Sequence, residues 1–265
     1  MTATPEEFQV YAIRYASREG RRGEHFHGYD ETWADPHPTA YYVWLAVSPR
    51  RCVLVDAGMD PARAATLAGL DYHCSPVDAL AELGVSPGDV DHLVLTHLHY
   101  DHTGTAAAFP SARYVLQRTE IDYWTGHWAK RIRAERWLVS EDDLGHLLDP
   151  GAGHRLRIVD GDHDVVPGLS VHHVGGHTAG MQVVRVRTAR GWVVLASDAS
   201  HFYENIERDR PFAILNSIPG AYAAFDRITE LADGPELVVA GHDPLVLRRF
   251  APASRTHAGG IARIA

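Results

Sequence analysis

The stretch Leu93-Val94-Leu95-Thr96-His97-Leu98-His99-Tyr100-Asp101-His102 decides the fold, because an apolar run is followed at once by four possible metal ligands. The run predicts a buried strand over Asp91–Thr96, which places the four ligands in the loop at its carboxyl end. His97 and His99 point the same way if the extended backbone continues. Imidazole and carboxylate groups suit Zn²⁺, and also Mn²⁺, Fe²⁺ or Co²⁺. Four solvated loop side chains are the alternative, which this spacing directly after a strand disfavours.

Three further predicted strands end in a possible ligand. His177 follows two glycines, which allow a sharp turn close to an ion. Asp198 follows the predicted strand Gly191–Ala196, and its two carboxylate oxygens could bridge two ions. His242 follows the last predicted strand. Each residue alone is equally well explained as a capping or turn residue, but four strand ends that each offer a ligand predict a site for two ions.

Short apolar segments predict strands in both halves of the chain. Tyr41–Val47 and Arg51–Asp56 form a predicted hairpin. The other predicted strands are Phe8–Tyr15, Ala112–Gln117, Arg155–Val159, Leu169–Val174, Gln182–Val186, Gly191–Ala196 and Glu236–Ala240. Helices are predicted at Pro61–Leu70, Pro76–Leu83 with Ser75 as N-cap, Gly104–Phe109 and about Ala221–Leu231. No linker separates the halves, so we expect two sheets packed face to face, with helices outside, in a single domain over residues 1–265.

The segment Arg118–Leu148 differs from its surroundings. It is charged, contains Trp124, Trp128 and Trp137, and has helical periodicity without strand signals. An amphipathic helical insertion that packs on the body explains this pattern. The same insertion could form a lid over the site, and the two interpretations are compatible.

The composition excludes several classes of protein. The chain has 265 residues, 45% of them hydrophobic and 22% charged, as in ordinary globular proteins. A formal net charge of −9 argues against a nucleic-acid partner. No apolar run is longer than a strand and no signal-like region begins the chain, so we expect a cytoplasmic protein with no membrane partner. Cys52 and Cys74 are expected to be buried apolar residues.

The order of HLHYDH, His177, Asp198 and His242 resembles the metallo-β-lactamase superfamily, from about Tyr41 to Leu247. The resemblance implies an α+β fold, an αββα sandwich of two mixed β-sheets flanked by helices, with the site at one edge of the sheets. It implies two divalent ions per chain, expected to be Zn²⁺. The implied ligands are His97, His99 and His177 for the first ion and Asp101, His102 and His242 for the second, with Asp198 as the bridge and Asp56 as a supporting acid.

Within the superfamily, the chain resembles the N-acyl homoserine lactonases. The matching segments are THLHYDHTG, GGHTAGMQ, Ser197–Asn205, Gly241–Val246 and the early Arg22–Gly28. Two-zinc β-lactamases usually have a cysteine in place of Asp198, and glyoxalase II, nuclease and flavodiiron members carry additions that are missing here. The resemblance implies that a metal-bridging hydroxide opens a homoserine lactone ring, which would disable a quorum signal. Two ions about 3.5–4 Å apart suit this chemistry, because they lower the pKa of water and polarise the carbonyl.

One position departs from the family. Some lactonases have a tyrosine three residues after the bridging aspartate, where this chain has His201, and Tyr203 follows two residues later. Either side chain can donate a hydrogen bond to the substrate carbonyl, and Asp101 is the expected general acid. The departure leaves open another lactone, cyclic ester or lactam as the substrate. A sensor without turnover is a further alternative, which the intact set of ligands disfavours. The oligomeric state is left open.

Other residues near the predicted site have two interpretations. The aromatic residues are expected to pack in the body rather than to form an acyl pocket, and the nearby histidines are expected to be loop residues, because seven ligands fill two sites. The aromatic residues are Phe26, Trp33, Tyr41, Trp124 and Trp128, and the histidines are His25, His27 and His37.

Overall fold

The computed structural model describes residues 6–149, 155–254 and 259–265. The strands are β1 Gln9–Arg18, β2 Thr39–Val47, β3 Cys52–Val55, β4 Leu70–Tyr72, β5 His92–Val94, β6 Arg113–Gln117, β7 Leu156–Val159, β8 His163–Val166, β9 Leu169–His173, β10 Gln182–Thr188, β11 Gly191–Ser197, β12 Val238–Ala240, β13 Ala251–Ser254 and β14 Ile261–Arg263. The helices are α1 Arg22–His25, α2 Pro61–Ala64, α3 Pro76–Ala81, α4 Tyr100–Thr103, α5 Arg118–Thr125, α6 His127–Arg131, α7 Glu141–Leu147, α8 Tyr203–Glu207, α9 Ile218–Leu231 and α10 Val246–Arg249.

The strands form two mixed sheets. The first has the order β13-β14-β1-β2-β3-β5-β6-β7, with β4 paired to β1, and the second has the order β12-β11-β10-β9-β8. The pairs β3–β5, β5–β6, β6–β7 and β11–β12 are parallel, whereas the other strand pairs of the described residues are antiparallel. Parallel neighbours end at the same edge, so the loops after β5 and after β11 and β12 are brought to one side of the molecule.

The alternation of side chains along β2 explains why two sheets stack with helices outside. Tyr42 and Trp44 lie in the core between the sheets, together with Val184 of the second sheet. Val43 and Leu45, on the opposite face, pack in a separate core under the helices of the first sheet. Successive strand residues point to opposite faces, so a strand covered on both sides is apolar throughout. The predicted αββα sandwich is confirmed.

Helix α9 covers the outer face of the second sheet. The side chain of Ser217 caps it by accepting a hydrogen bond from the N–H of Gly220. Its buried residues Ala224, Ile228 and Leu231 recur every three or four positions and pack on Val183 and Val194. The predicted helix at about Ala221–Leu231 is confirmed, and it begins one turn earlier.

Two predicted helices are wrong in part. The helix predicted over Pro61–Leu70 ends at Ala64, and Leu70–Tyr72 is a strand paired with β1. Gly69 has a φ of 75° and reverses the chain between them. The helix predicted over Gly104–Phe109 is only a 3₁₀ turn at Ala106–Ala108, because α4 already begins at Tyr100 inside the ligand cluster.

Most other predicted elements are present. The hairpin of β2 and β3 is confirmed, and the side chain of Ser75 caps α3 by accepting from the N–H of Val77. Cys52 is buried and Cys74 is half-buried. Strands β4, β8, β13 and β14 were not predicted, because they are short edge or turn-flanked segments with little alternation. The single-domain prediction stays a prediction and also includes residues 1–5, 150–154 and 255–258, which lie outside the described residues.

The predicted helical insertion consists of α5, α6, a 3₁₀ helix at Arg133–Leu138 and α7. Trp124 and Leu138 are buried against the first sheet, whereas Trp128 and Trp137 are 61% and 51% exposed. The packing interpretation therefore holds for part of the insertion, and its role as a lid stays a prediction. None of the helices described is long and apolar enough to cross a membrane.

Candidate metal centre

The structure brings all seven predicted ligands to one edge of the two sheets. His97 and His99 follow β5, and α4 carries Asp101 and His102. The remaining three ligands come from the second sheet, where His177 lies between β9 and β10, Asp198 follows β11 and His242 follows β12. The side chain of Asp101 is 12% exposed, and the other six residues are buried.

Their ligand atoms form overlapping groups whose members lie within 4.8 Å of one another. One group consists of His97, His99, His177 and Asp198, and another of Asp101, His102 and His242. These groups have the composition expected for the two ions. A third group joins Asp198 and His242 to His201.

Asp198 lies between the two groups. Its Oδ2 is 3.3 Å from Nε2 of His177, whereas its Oδ1 is 3.2 Å from Nε2 of His102 and 3.0 Å from Nε2 of His242. One oxygen therefore faces each group, as a bridging carboxylate requires. Burial alone would raise the pKa of Asp198, but the surrounding imidazoles of His242, His201 and His102 lower it well below its usual value.

The orientation of the histidine rings fits metal binding. Four of the rings bond through Nδ1 to groups outside the cluster. These bonds join His97 to the Thr96 hydroxyl, His102 to Asp56, His177 to the carbonyl of Ile214 and His242 to the carbonyl of Ala40, at 2.8–3.0 Å. A ring nitrogen that faces a carbonyl must carry a proton, as Nδ1 of His177 and His242 does, so Nε2 of the neutral ring keeps a free lone pair. Outer partners of this kind orient metal-binding imidazoles.

Electrostatics support the same conclusion for His97, His99 and His177. Burial lowers the pKa of His97 and His99 well below the usual value and that of His177 to about 3, which leaves these rings in the neutral form that binds metals. Burial also acts to lower the pKa of His102, but the carboxylates of Asp198, Asp101 and Asp56 raise it well above its usual value. The centre therefore favours a positive charge at this point. The buried Nε2 of His97 has no hydrogen-bond partner among the described residues.

Asp56 lies behind the cluster, where the resemblance implied a supporting acid. Its Oδ1 accepts from the N–H of Thr96 at 2.7 Å, and its Oδ2 accepts from the Thr96 hydroxyl, the His102 ring and the Ser197 hydroxyl at 2.8–3.2 Å. Asp56 and Ser197 have φ values of 60° and 44°. Such conformations cost about 1–3 kcal/mol each and concentrate at functional sites. Backbone strain is therefore present at Asp56 and Ser197, the two residues that hold the ligand loops together.

His201 and Tyr203 are placed differently. Nε2 of His201 lies 3.0 Å from Oδ2 of Asp198, and its ring stacks on Phe212 with centroids 3.4 Å apart. Burial lowers the pKa of His201 to about 4, so the ring is neutral. Tyr203 instead lies in the core between the sheets, with the Arg249 guanidinium 3.5 Å from its ring centroid. The structure therefore brings His201, and not Tyr203, to the centre.

Two adjoining cavities open beside the cluster. The larger, of about 320 Å³, is lined by Asp101, Asp198, His201 and His242, and extends to Arg18. The smaller, of about 220 Å³, lies under the helical insertion and reaches Tyr123 and Glu135. The two cavities share five lining residues, so they adjoin at the first group of ligands and together form one groove; the shared residues are His99, His177, Trp137, Leu138 and Ile214.

The aromatic residues and the loop histidines divide between the groove and the body. Tyr41 and Trp124 line the groove, whereas Trp33 and Trp128 are exposed and Phe26 is buried against Phe202. His25 also lines the groove, although it was expected to be a loop residue. His37 lines a separate cavity, and His27 is exposed.

Sequence reasoning missed three polar residues at the centre. Thr96 and Ser197 directly precede ligands at strand ends, and that position could have identified them as outer partners. Glu120 lies in α5 and is fully buried. The sequence around Glu120 gave no sign of a buried role, because an isolated glutamate in a charged helix is typical of a solvated face.

Comparison with known proteins finds a matching family and similar sequences. The family model described as "Metallo-beta-lactamase superfamily" matches residues 37–242. An N-acyl homoserine lactonase from Bacillus sp is 32% identical over 169 residues, which are 63% of this chain and 61% of that protein. The N-acyl homoserine lactonase AttM of Agrobacterium fabrum is 28% identical over 71% of this chain and 72% of its own length. The chain thus spans about 61% of the length of the first of these curated relatives.

Solved structures share the fold. A quorum-quenching N-acyl homoserine lactone lactonase superposes with a TM-score of 0.74 at 24% identity, covering 92% of this chain and 95% of its own. The hydrolase AbOPH of the beta lactamase superfamily superposes with a TM-score of 0.73 at 18% identity, covering 99% and 98%. At these identities the superpositions establish the architecture alone.

Proposed function

The chain belongs to the metallo-beta-lactamase superfamily, and on this premise we propose that it is a dinuclear metal-dependent hydrolase that opens a lactone ring. The main support for this proposal is the position of Asp198, whose two oxygens face two separate groups of ligands. The first ion is assigned to His97, His99 and His177, the second to Asp101, His102 and His242, and Asp198 bridges them. Nitrogen and carboxylate ligands make Zn²⁺ the expected metal.

Two divalent ions at such a site supply a water of lowered pKa and polarise a carbonyl group. The chain itself must position the substrate and manage the proton. In lactone hydrolysis, water oxygen adds to the carbonyl carbon, the ring C–O bond breaks, and the leaving alkoxide gains a proton. The products are a carboxylate and a hydroxyl group.

Asp101 is the residue that we assign to proton transfer. Its carboxylate borders the larger cavity and is partly accessible, so it can reach a leaving oxygen. The phenol of Tyr15 donates to the Asp101 backbone carbonyl at 2.8 Å and holds this segment in place. A carboxyl group within hydrogen-bond reach of the leaving atom is the geometry that general acid catalysis needs.

N-acyl homoserine lactone is the proposed substrate, because the curated relatives carry that activity in their names. The groove consists of two adjoining cavities and therefore also suits a two-part molecule, with the ring beside Asp198 and His201 in the larger cavity. His201 favours a second candidate, a different lactone or cyclic ester, since it stands where some lactonases have tyrosine.

The proposal is tested with purified protein loaded with Zn²⁺ and assayed for proton release. We expect turnover of N-acyl homoserine lactones and little turnover of unsubstituted lactones of equal ring size. Opening of other lactones with no acyl homoserine lactone turnover would reject the substrate and keep the chemistry. Fewer than two bound ions together with no hydrolysis of any lactone would reject the proposed function and favour a binding protein.

His201 is proposed to donate a hydrogen bond to the substrate carbonyl. Replacing His201 by alanine should lower kcat by about 10²-fold, the loss seen when one oxyanion donor is removed. His201→Tyr keeps a donor in the family's usual form and should retain most of the activity. Steady-state kinetics on the metal-loaded variants measures both effects.

Metal content separates this role from a ligand role, since His201 also lies within reach of Asp198 and His242. We expect His201→Ala to bind as much metal as the wild type. A loss of metal that parallels the loss of kcat would instead make His201 a ligand, and an unchanged kcat would exclude both roles.

A further inference from the structure

Glu120 is a fully buried carboxylate that the proposed reaction does not use. It lies in α5, and both of its oxygens accept two hydrogen bonds each. Oε1 accepts from the N–H of Leu98 and the indole of Trp124 at 3.0 and 2.8 Å, and Oε2 accepts from the hydroxyl of Thr178 and the N–H of Gly180 at 2.7 and 2.8 Å. These four donors compensate the cost of burying the carboxylate, which would be strongly destabilising without hydrogen-bond partners.

Three of the four donors to Glu120 belong to the two loops that carry the ligands of the first ion, and the fourth, Trp124, lies in α5 itself. Leu98 lies between His97 and His99, and Thr178 follows His177. The first loop comes from one sheet and the second from the other. The carboxylate therefore joins the two ligand loops through side-chain and backbone donors, in addition to the backbone hydrogen bond that Gln182 N–H donates to the Thr96 carbonyl at 3.0 Å.

The close approach of α5 to the second loop requires a glycine. A Cβ at Gly180 would clash with the backbone nitrogen of Glu120. No larger residue would allow the N–H of Gly180 to reach the carboxylate without moving the helix. The contact between helix and loop is therefore built into the backbone of both elements.

His99 shows why this link matters for the metal. Among the described residues it is the one histidine of the five assigned ligands whose ring has no hydrogen bond to an outer group. Its ring instead packs edge-on against Trp124, with centroids 5.7 Å apart. Glu120 holds both the indole of Trp124 and the backbone of Leu98 next to His99. It thus provides indirectly the orientation that the other rings obtain directly.

We propose that Glu120 is a positioning residue for the first ion, which fixes the loops of His99 and His177 relative to each other. This inference rests on the proposed two-ion centre. It also assigns a function to α5, the first helix of the insertion, as a support of the metal site.

The test is a titration of metal-free protein with Co²⁺, followed by calorimetry and by the visible spectrum of the bound ion. Glu120→Gln keeps the size of the side chain but places an NH₂ group opposite two donors, so two of the four hydrogen bonds are lost. We expect one of the two bound equivalents to weaken by about 10–100-fold, the usual cost of losing an outer partner. The visible spectrum of the weakened Co²⁺ equivalent should change, and the other equivalent should bind as in the wild type.

Asp91→Asn is the matched control. Asp91 also accepts a backbone N–H, that of Cys52 at 2.8 Å, but it lies before β5, at the end of the strand away from the ligands. Its replacement should leave both affinities and the Co²⁺ spectrum unchanged. A Glu120→Gln protein that melts at a lower temperature but binds both equivalents like the wild type would reduce Glu120 to a structural residue and overturn the inference.

Two milder variants keep the test decisive if Glu120→Gln fails to fold. Thr178→Val removes one donor to Glu120 and preserves the shape of the side chain, and Trp124→Phe removes another donor and keeps a smaller aromatic ring. Each should weaken the same equivalent to a smaller extent, and wild-type affinities in both would overturn the proposal. A wild-type protein that binds no metal contradicts the proposed function itself, whereas two-ion binding unaffected by these changes contradicts only the role of Glu120.

Discussion

Replacing Asp198 by alanine should abolish hydrolysis and remove at least one metal ion per chain. The carboxylate has one oxygen toward His177 and the other toward His102 and His242, so its loss removes a ligand from both ions at once. Losing an outer partner typically costs 10–100-fold in affinity or activity, and the loss of a shared ligand should exceed about 100-fold. Metal content per chain and kcat/KM for lactone hydrolysis measure the effect.

Asp30→Ala serves as the control for Asp198→Ala. Asp30 is also buried, but its partners are Arg22 and Arg210 at 2.9 Å rather than the histidine cluster. This change should leave the metal content at the wild-type value. Asp198→Asn, which keeps the size of the side chain and one carbonyl oxygen, should fall between alanine and the wild type. Full metal content in Asp198→Ala would contradict the bridging assignment.

Removing the metal with a chelator should abolish activity and also lower the thermal stability of the protein. Five assigned imidazole ligands and two carboxylates face one another at this centre, and a bound cation compensates the carboxylate charge there. A ligand present at 100 times its dissociation constant stabilises the folded state by about 2.7 kcal/mol. For a chain of this size, that corresponds to a fall in Tm of about 5–11 °C when the ions are removed. Calorimetric melting with and without chelator measures the shift.

Return of the metal should restore both properties. Adding Zn²⁺ or Co²⁺ to the chelated protein should recover the activity and the melting temperature. The Asp198→Ala variant should respond much less to the chelator, because it has less metal to lose. Undiminished lactone hydrolysis after complete removal of the ions would contradict a metal-dependent mechanism.

The ligands that sequence reasoning could identify share one property. His97, His99, Asp101 and His102 are close in the chain, and His177, Asp198 and His242 each stand at the end of an apolar strand. A strand end is visible in the sequence because apolar β-branched residues stop there. The positions of possible ligands therefore followed from local pattern alone, although their grouping around two ions depended on family resemblance.

Other residues gave no such signal. Tyr203 was as good a hydrogen-bond donor as His201 by sequence, but the turn after Asp198 directs His201 to the centre and Tyr203 into the core. His25 was expected to be a loop residue, but it lines the groove because the segment that carries it folds back beside Phe212. Such placements depend on the path of the backbone between elements.

The sequence by itself determined the apolar strands of two packed sheets and the strand ends that carry possible ligands, because these follow from local apolar patterns. The collection of the ligands at one edge of the sheets was implied by family resemblance. Only the tertiary structure decided which oxygen of Asp198 faces which histidines, and that Glu120 joins the loops of His99 and His177. Glu120 is 22 residues from Leu98 and 60 from Gly180 along the chain. Contacts of that separation arise from the packing of α5 against the loops of both sheets, and no local pattern in the chain encodes them.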